Sequence, residues 1–330
     1  MAFTYYLPDE NCNKTEFKTS FNSLVIIGAN GSGKSKLGAW IEQQDMSNVH
    51  RIGAQRSLNF QENLPLKSYS QAEDIVFYGS DSKSAQQNKD LRWNWGNSYT
   101  TQLINDFDDV LAALIALEHI ASEDYVSTCK KIHSRSERPD PPITVIDKLL
   151  QIWDEIFPQR QLKFHDAKFT ALMRDEKGTQ YSSNQMSDGE RAVLYLVAQV
   201  LCVPQNKTLI IDEPEVHLHR SIMNRLWRAL EGYRPDCFFI YITHDTQFAA
   251  THKQSEKVWI KDFDGTHWNL ERIENNDLPE ELLFDILGSR KNVLFVEGEK
   301  NSYDTQLYTI LFPSAVQNKL CIKNGLLKNQ

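Results

Sequence analysis

Two stretches of this chain carry residues whose types and spacing suit phosphoanhydride chemistry. In IIGANGSGKSKLGAW, Ile26 to Trp40, the run Gly28, Ala29, Asn30, Gly31, Ser32, Gly33, Lys34, Ser35 satisfies G-x-x-x-x-G-K-[ST], with Lys36 directly after it. Glycines at these spacings let consecutive backbone N–H groups turn inward around phosphate oxygens, and a helix amino terminus adds partial positive charge. Lys34 is expected at the β- and γ-phosphates and Ser35 at Mg²⁺. In TLIIDEPEVHLH, Thr208 to His219, Asp212 closes an apolar run. It is expected beside Ser35, holding the same Mg²⁺ directly or through water. Glu213 comes next, and side chains alternate along a strand, so it is placed to polarise an attacking water as general base.

Three further segments suit the same site. FFIYITHDTQF, Phe238 to Phe248, reads as a buried strand ending at Thr243-His244, and a strand's carboxyl end in a doubly wound sheet is its ligand edge. His244 is therefore expected near the γ-phosphate or the attacking water. QMSDGERAVLYLVAQVL, Gln185 to Leu201, opens an apolar helix. Ser187 and Glu190 fit a capping box, while Ser187 and Gly189 also suit an anion site at a helix start. Gln55, in RIGAQRSL, follows a short apolar strand. His217 and His219 stand two apart, a spacing poorly suited to a shared metal on strand or helix.

The elements that must position these groups are legible around them. Leu24-Val25-Ile26-Ile27 reads as a strand and KSKLGAWIEQQ as a helix. Between Gln55 and Ser187 lies a largely helical insert. Apolar residues at Leu103, Ile104, Phe107, Val110, Leu111, Leu114, Ile115 and Leu117 predict an amphipathic helix, SERPDPPI breaks it, and VIDKLLQIWDEIF begins another. A small helical lid or a subunit contact is expected from it. In RWNWG, Trp93 and Trp95 suit either core packing or stacking on a base.

The ordered set of loop, MSDGE, acidic strand and switch His resembles an ATP-binding cassette (ABC) ATPase of the soluble, SMC-like and overcoming-lysogenization-defect branch. The resemblance implies an α/β P-loop NTPase fold, with a mixed sheet, helices on both faces and a helical insert. It implies ATP and Mg²⁺ as cofactors, Gln55 as the residue that senses the metal and the water, and a homo-oligomer, at least a dimer. In such an assembly Ser187 and Gly189 reach the γ-phosphate held by the neighbouring copy. The usual LSGGQ is MSDGE here, so Ser187 and Gly189 are kept while Asp188 and Glu190 depart. DEPEVHLH departs from the turn usual in transporter motors.

Composition is that of an ordinary globular protein, with 41% hydrophobic and 24% charged residues. A net charge of −8 speaks against non-specific nucleic-acid binding, though not against a local basic patch. Five widely spaced cysteines suit neither a zinc site nor a disulfide framework. With no signal-peptide pattern and no apolar run near about 18 residues, a cytoplasmic protein without membrane contact is expected. The expected organisation is an ABC-type ATPase domain over 1–275, with the helical insert at about 97–160, and a partial segment over 276–330. That segment, with KNVLFVEGEK closing on Glu297-Gly298, resembles the start of a TOPRIM domain. No acidic residue follows Asp304 to complete it, so it is either truncated or completed by a partner. ATPases of anti-phage systems such as PARIS are similar in this arrangement. They imply a nuclease effector and a nucleic acid or phage protein as trigger. A nucleotide-gated scaffold with negligible turnover is the alternative, as is a TOPRIM nuclease completed by a partner chain.

Overall fold

A computed structural model describes residues 2–273, apart from 62, 63, 65, 66, 83–88, 95, 96, 98, 176 and 177. Beyond them it describes residues 278, 279 and 282 and two short strands. A hairpin of β1 (Phe3–Pro8) and β2 (Lys14–Thr19) leads into β3 (Ser23–Gly28) and α1 (Lys34–Gln44). β4 (Val49–Ile52) and α2 (Tyr69–Tyr78) follow, then the insert helices α3 (Phe107–Lys131) and α4 (Val145–Ile156). A small antiparallel sheet of β5 (Arg160–His165), β6 (Lys168–Met173) and β7 (Gln180–Ser182) precedes α5 (Asp188–Cys202). The chain continues through β8 (Thr208–Asp212), α6 (Arg220–Tyr233), β9 (Phe238–Thr243), α7 (Thr246–Thr251), β10 (Glu256–Phe263) and β11 (Trp268–Arg272). β12 (Phe295–Glu297) pairs in parallel with β13 (Cys321–Lys323).

The central sheet has the order β11-β10-β3-β9-β8-β4, parallel throughout except for β11 at one edge. Every residue of β3, β4 and β9 is buried, as expected for strands covered on both faces. The register levels their carboxyl ends. Ile260 pairs with Gly28, Ile27 with Thr243, Ile242 with Asp212 and Ile211 with Ile52. The segments leaving these strands therefore share one edge, and they are the segments named for phosphate chemistry.

Alternation along the strands feeds two cores. Leu24, Ile26, Ile210, Ile240 and Ile242 pack against Leu37 and Ile41 of α1 and against Tyr5 and Leu7 of β1. Val25, Ile27, Leu209, Ile211, Phe239 and Tyr241 join the core of the other face, which holds α3, α4, α5 and α6. Helices thus cover both faces, as expected. Twelve of the fifteen α5 residues are buried, so the helix carries polar groups only where partners exist.

The insert does not behave as a lid along its whole length. Phe107, Val110, Leu111, Ala112, Ala113 and Leu114 of α3 are buried in the main core, against α2 and α5, whereas Ile120 and Val126 further along are exposed. Amphipathic spacing marks a buried face, and here the main core covers its first turns. Trp93 is core as well. It is 1% exposed, with the Arg51 guanidinium 3.9 Å above its ring, while Trp95 lies outside the described residues.

A buried polar network ties α1 and β4 to α5. Glu42 of α1 meets Arg51 Nε of β4 at 3.0 Å and Lys89 Nζ at 3.2 Å. Burial pushes its carboxyl up, but Lys89, Arg51 and Arg92 together hold it below the usual range. Arg92 bonds Asp106 at 3.0 Å, and Asp106 accepts from the Tyr195 hydroxyl at 2.7 Å and from Gln199 Nε2 at 2.9 Å, both on α5. Each of these charges is paired, as burial requires.

Candidate functional site

The loop from Gly28 to Lys34 has the backbone that an anion cradle needs. Gly31 and Gly33 adopt left-handed conformations, φ 89° and 78°, which glycine reaches at little steric cost. At Gly28 a Cβ would stand 2.4 Å from Ser32 Oγ, so only glycine lets the loop close over the strand end. α1 starts from Gly33 without a side-chain cap and without an acidic residue in its first turn. Its amide groups and dipole therefore point at the loop uncompensated by any carboxylate of their own. Lys34 is 6% exposed and folds back, donating to the carbonyls of Gly28 (3.1 Å) and Ala29 (2.9 Å). Lys36, one residue past Ser35, lies over the Phe263 ring at 4.9 Å.

Beneath the loop, the Ser35 hydroxyl lies beside the Asp212 carboxyl. Asp212 is 1% exposed, and its Oδ1 is buried without a hydrogen-bond partner. Burial pushes its carboxyl up, opposed chiefly by the charge of Arg51, then by the Ser35 hydroxyl and Lys34. A buried carboxylate oxygen left unpaired beside a hydroxyl and next to an anion cradle is the arrangement that a bound divalent cation satisfies. The residues present thus fit Mg²⁺ held by Ser35 and Asp212.

The general-base candidate has left the strand. Glu213 takes φ 52°, uncommon for a residue with a side chain, and its N–H donates to the Ile242 carbonyl at 2.8 Å. That turn aims Glu213 at His244, whose Nδ1 is 2.6 Å from Glu213 Oε2 and 3.3 Å from Glu215 Oε1. Burial pushes the Glu213 carboxyl up, but hydrogen bonds from His244 and Glu215, and the charges of His244 and Lys34, hold it below the usual range. Glu215 goes the other way, pushed up to about 7 by burial and by the Glu213 charge. The two acids thus divide into one that is ionised at neutral pH and one that retains its proton more readily.

Lys34, Ser35, Asp212, Glu213 and His244 are thus brought to one sheet edge, as the sequence order predicts. Gln55 lies three residues past β4, exposed, its carbonyl accepting from the Ile104 N–H at 3.0 Å. Beside it Arg56 is 4% exposed. It donates to the carbonyls of Gly53 and Val216 at 3.2 Å each, and its charge acts on Asp212 and Glu215. Ser187 and Gly189 stand at the start of α5, with the Gly189 Cβ position 3.7 Å from the His217 carbonyl. The capping box is present: Ser187 Oγ accepts from the Glu190 N–H at 3.4 Å, and Glu190 Oε2 accepts from the Ser187 N–H at 2.8 Å. His219 caps α6, so of the two histidines in HLH one serves a helix end. Glu215, Arg56 and Arg51 were not singled out in the sequence. The second acid of DEPE was the one local signal for Glu215.

A parallel sheet with a glycine-rich loop at the carboxyl end of β3, a helix after it and an acid ending β8 define a P-loop NTPase fold. The chain belongs to the family described as "AAA domain, putative AbiEii toxin, Type IV TA system", whose model matches residues 53–251, more than half of the sequence. Among curated proteins none matches. Three solved SMC heads are similar. The SMC head domain from Thermotoga maritima has 14% identity and a TM-score of 0.42, over 83% of this chain and 99% of that one. An Smc head with an extended coiled coil from Pyrococcus furiosus has 13% identity and a TM-score of 0.42, over 88% and 100%. A SmcHead bound to the C-winged helix domain of ScpA has 13% identity and a TM-score of 0.43, over 82% and 96%. Among the described residues no helix is long and apolar enough to cross a membrane.

Proposed function

We propose that this chain is an Mg²⁺-dependent ATPase that works as an oligomer, each ATP gripped by its own loop and by Ser187 and Gly189 of a second copy. The observation that carries the reading is the Ser35–Asp212 pair under an uncapped helix start, with Asp212 Oδ1 buried and unpaired. The loop amides from Gly28 to Lys36 and the Lys34 ammonium bind the phosphates, Lys34 exchanging its loop carbonyls for phosphate oxygens. Ser35 and Asp212 hold the metal, with Gln55 reaching it from the β4 edge. When bound, Mg²⁺ draws charge from the phosphate oxygens. Glu213, held ionised, takes the proton of the attacking water, and His244 keeps that carboxylate aimed. Positioning and charge stabilisation then do most of the work.

The ATPase unit spans 1–275 in this reading, followed by a partial TOPRIM-like segment. β12 ends at Glu297, where that resemblance puts the strand end. The chain acts in the cytoplasm as a sensor or motor that controls a nuclease effector in anti-phage defence, triggered by nucleic acid or a phage protein. What supports this finer role is the resemblance of the motif set and of VLFVEGEK. Phosphate release from ATP by the purified full chain tests the enzymatic claim. Steady turnover with Mg²⁺ and its loss with excess EDTA are expected. Turnover unaffected by chelation contradicts the metal's place beside Ser35 and Asp212.

A further inference from the structure

We propose that Glu215 is a positioning residue of the hydrolytic centre, fixing Glu213 and His244 in one mutual orientation. The inference rests on the hydrolytic reading above and names a residue that this reading does not use. Glu213 sits on a left-handed backbone just past β8, so strand packing does not set its side chain. Its side chain is held by His244, and Glu213, Glu215 and His244 each bring one ligand atom to within 4.8 Å of the other two. Glu215 is itself anchored to the sheet. Its Oε1 accepts from Thr243 Oγ1 at 2.7 Å, and that hydroxyl oxygen in turn accepts from the Asp245 N–H at 2.8 Å. Thr243 is fully buried at the end of the central strand β9. On the other side, Arg56 Nη2 ties the Val216 carbonyl, one residue past Glu215, to the loop after β4.

The consequence for His244 follows from hydrogen-bond chemistry. Its Nδ1 faces an oxygen of Glu213 and an oxygen of Glu215. Glu213, held ionised, only accepts, so the proton of this ring belongs on Nδ1. Glu215 Oε1 thus meets both Thr243 and the His244 ring, and connects the sheet through His244 to Glu213. Glutamine in its place keeps an acceptor for Thr243 and for the His244 N–H. Alanine keeps neither.

The test compares the full native chain with Glu215→Ala and Glu215→Gln, in ATP turnover, thermal unfolding and histidine-selective ¹⁵N spectra, with His244→Gln assigning the signal. Expected for Glu215→Ala is a kcat at least about ten-fold lower at unchanged KM for ATP and unchanged unfolding temperature. With it, the Nδ1–H signature of His244 gives way to mixed tautomers. Glu215→Gln should restore both the rate and the signature. Native kcat and an unaltered His244 signal in Glu215→Ala overturn the proposal, as does a loss confined to KM or to thermal stability. Absence of phosphate release from the native chain would instead defeat the hydrolytic reading. The His244 spectrum would then still decide whether Glu215 holds the pair.

Discussion

Glu213→Gln should bind ATP as the native chain does and release phosphate about 10²- to 10⁴-fold more slowly, the usual contribution of a positioned general base. The side chain is half-buried, and its Oε2 receives the His244 Nδ1 hydrogen at 2.6 Å. An amide oxygen accepts the same hydrogen bond, so the variant keeps the shape and loses only basicity. The native carboxyl is held ionised against burial by hydrogen bonds from His244 and Glu215 and by the charges of His244 and Lys34. A base kept in that form at neutral pH is ready to take a proton when water is aligned. The observation to make is single-turnover phosphate release beside an equilibrium ATP titration. Native turnover would remove Glu213 as the base. A chain with no steady release even in its native form would instead act as a nucleotide-gated scaffold.

The second large effect is expected from Ser187→Arg. Ser187 is exposed at the start of α5, and its contribution to the fold is the cap. Losing a cap costs about 1 kcal/mol, which a domain of this size tolerates. Glu190 keeps Arg160 at 2.8 Å and the Tyr181 hydroxyl as partners, so the helix start stays anchored. A long cationic side chain there would obstruct a second copy's nucleotide while leaving the chain's own loop intact. ATP affinity of the single chain should stay near native, and ATP-dependent assembly should vanish. Turnover should fall about 10²- to 10³-fold, as when one preorganised donor to a transition-state oxyanion is removed. Light scattering with and without ATP, in the Glu213→Gln background to prevent turnover, separates the cases. Undiminished ATP-dependent assembly would mean that the copies meet elsewhere.

Much of the ligand edge was legible in the sequence because its strands are buried on both faces. LVII, TLIID and FFIYIT are short, mostly apolar runs, and each ends at or just before a segment proposed to act on the nucleotide. The capping box of Ser187 and Glu190 was legible too, since its spacing is local. The groups that were not legible depend on distant partners. Glu215 takes its position from Thr243, 28 residues on. Arg51 hides inside a four-residue strand, where its charge is matched by Glu42 and felt by Asp212. Arg56 follows the exposed Gln55 but turns inward to a carbonyl 160 residues away. The α3 pattern identified a buried face without saying what covers it. Its first turns belong to the core instead of to a lid.

Calorimetric titration of the purified full chain with ATP and Mg²⁺, alongside Lys34→Ala, tests the central claim most directly. Native protein should bind one nucleotide per chain, and the variant, stripped of the ammonium that now rests on Gly28 and Ala29, should lose that binding. No heat with native protein, or equal affinity in both, would contradict the account.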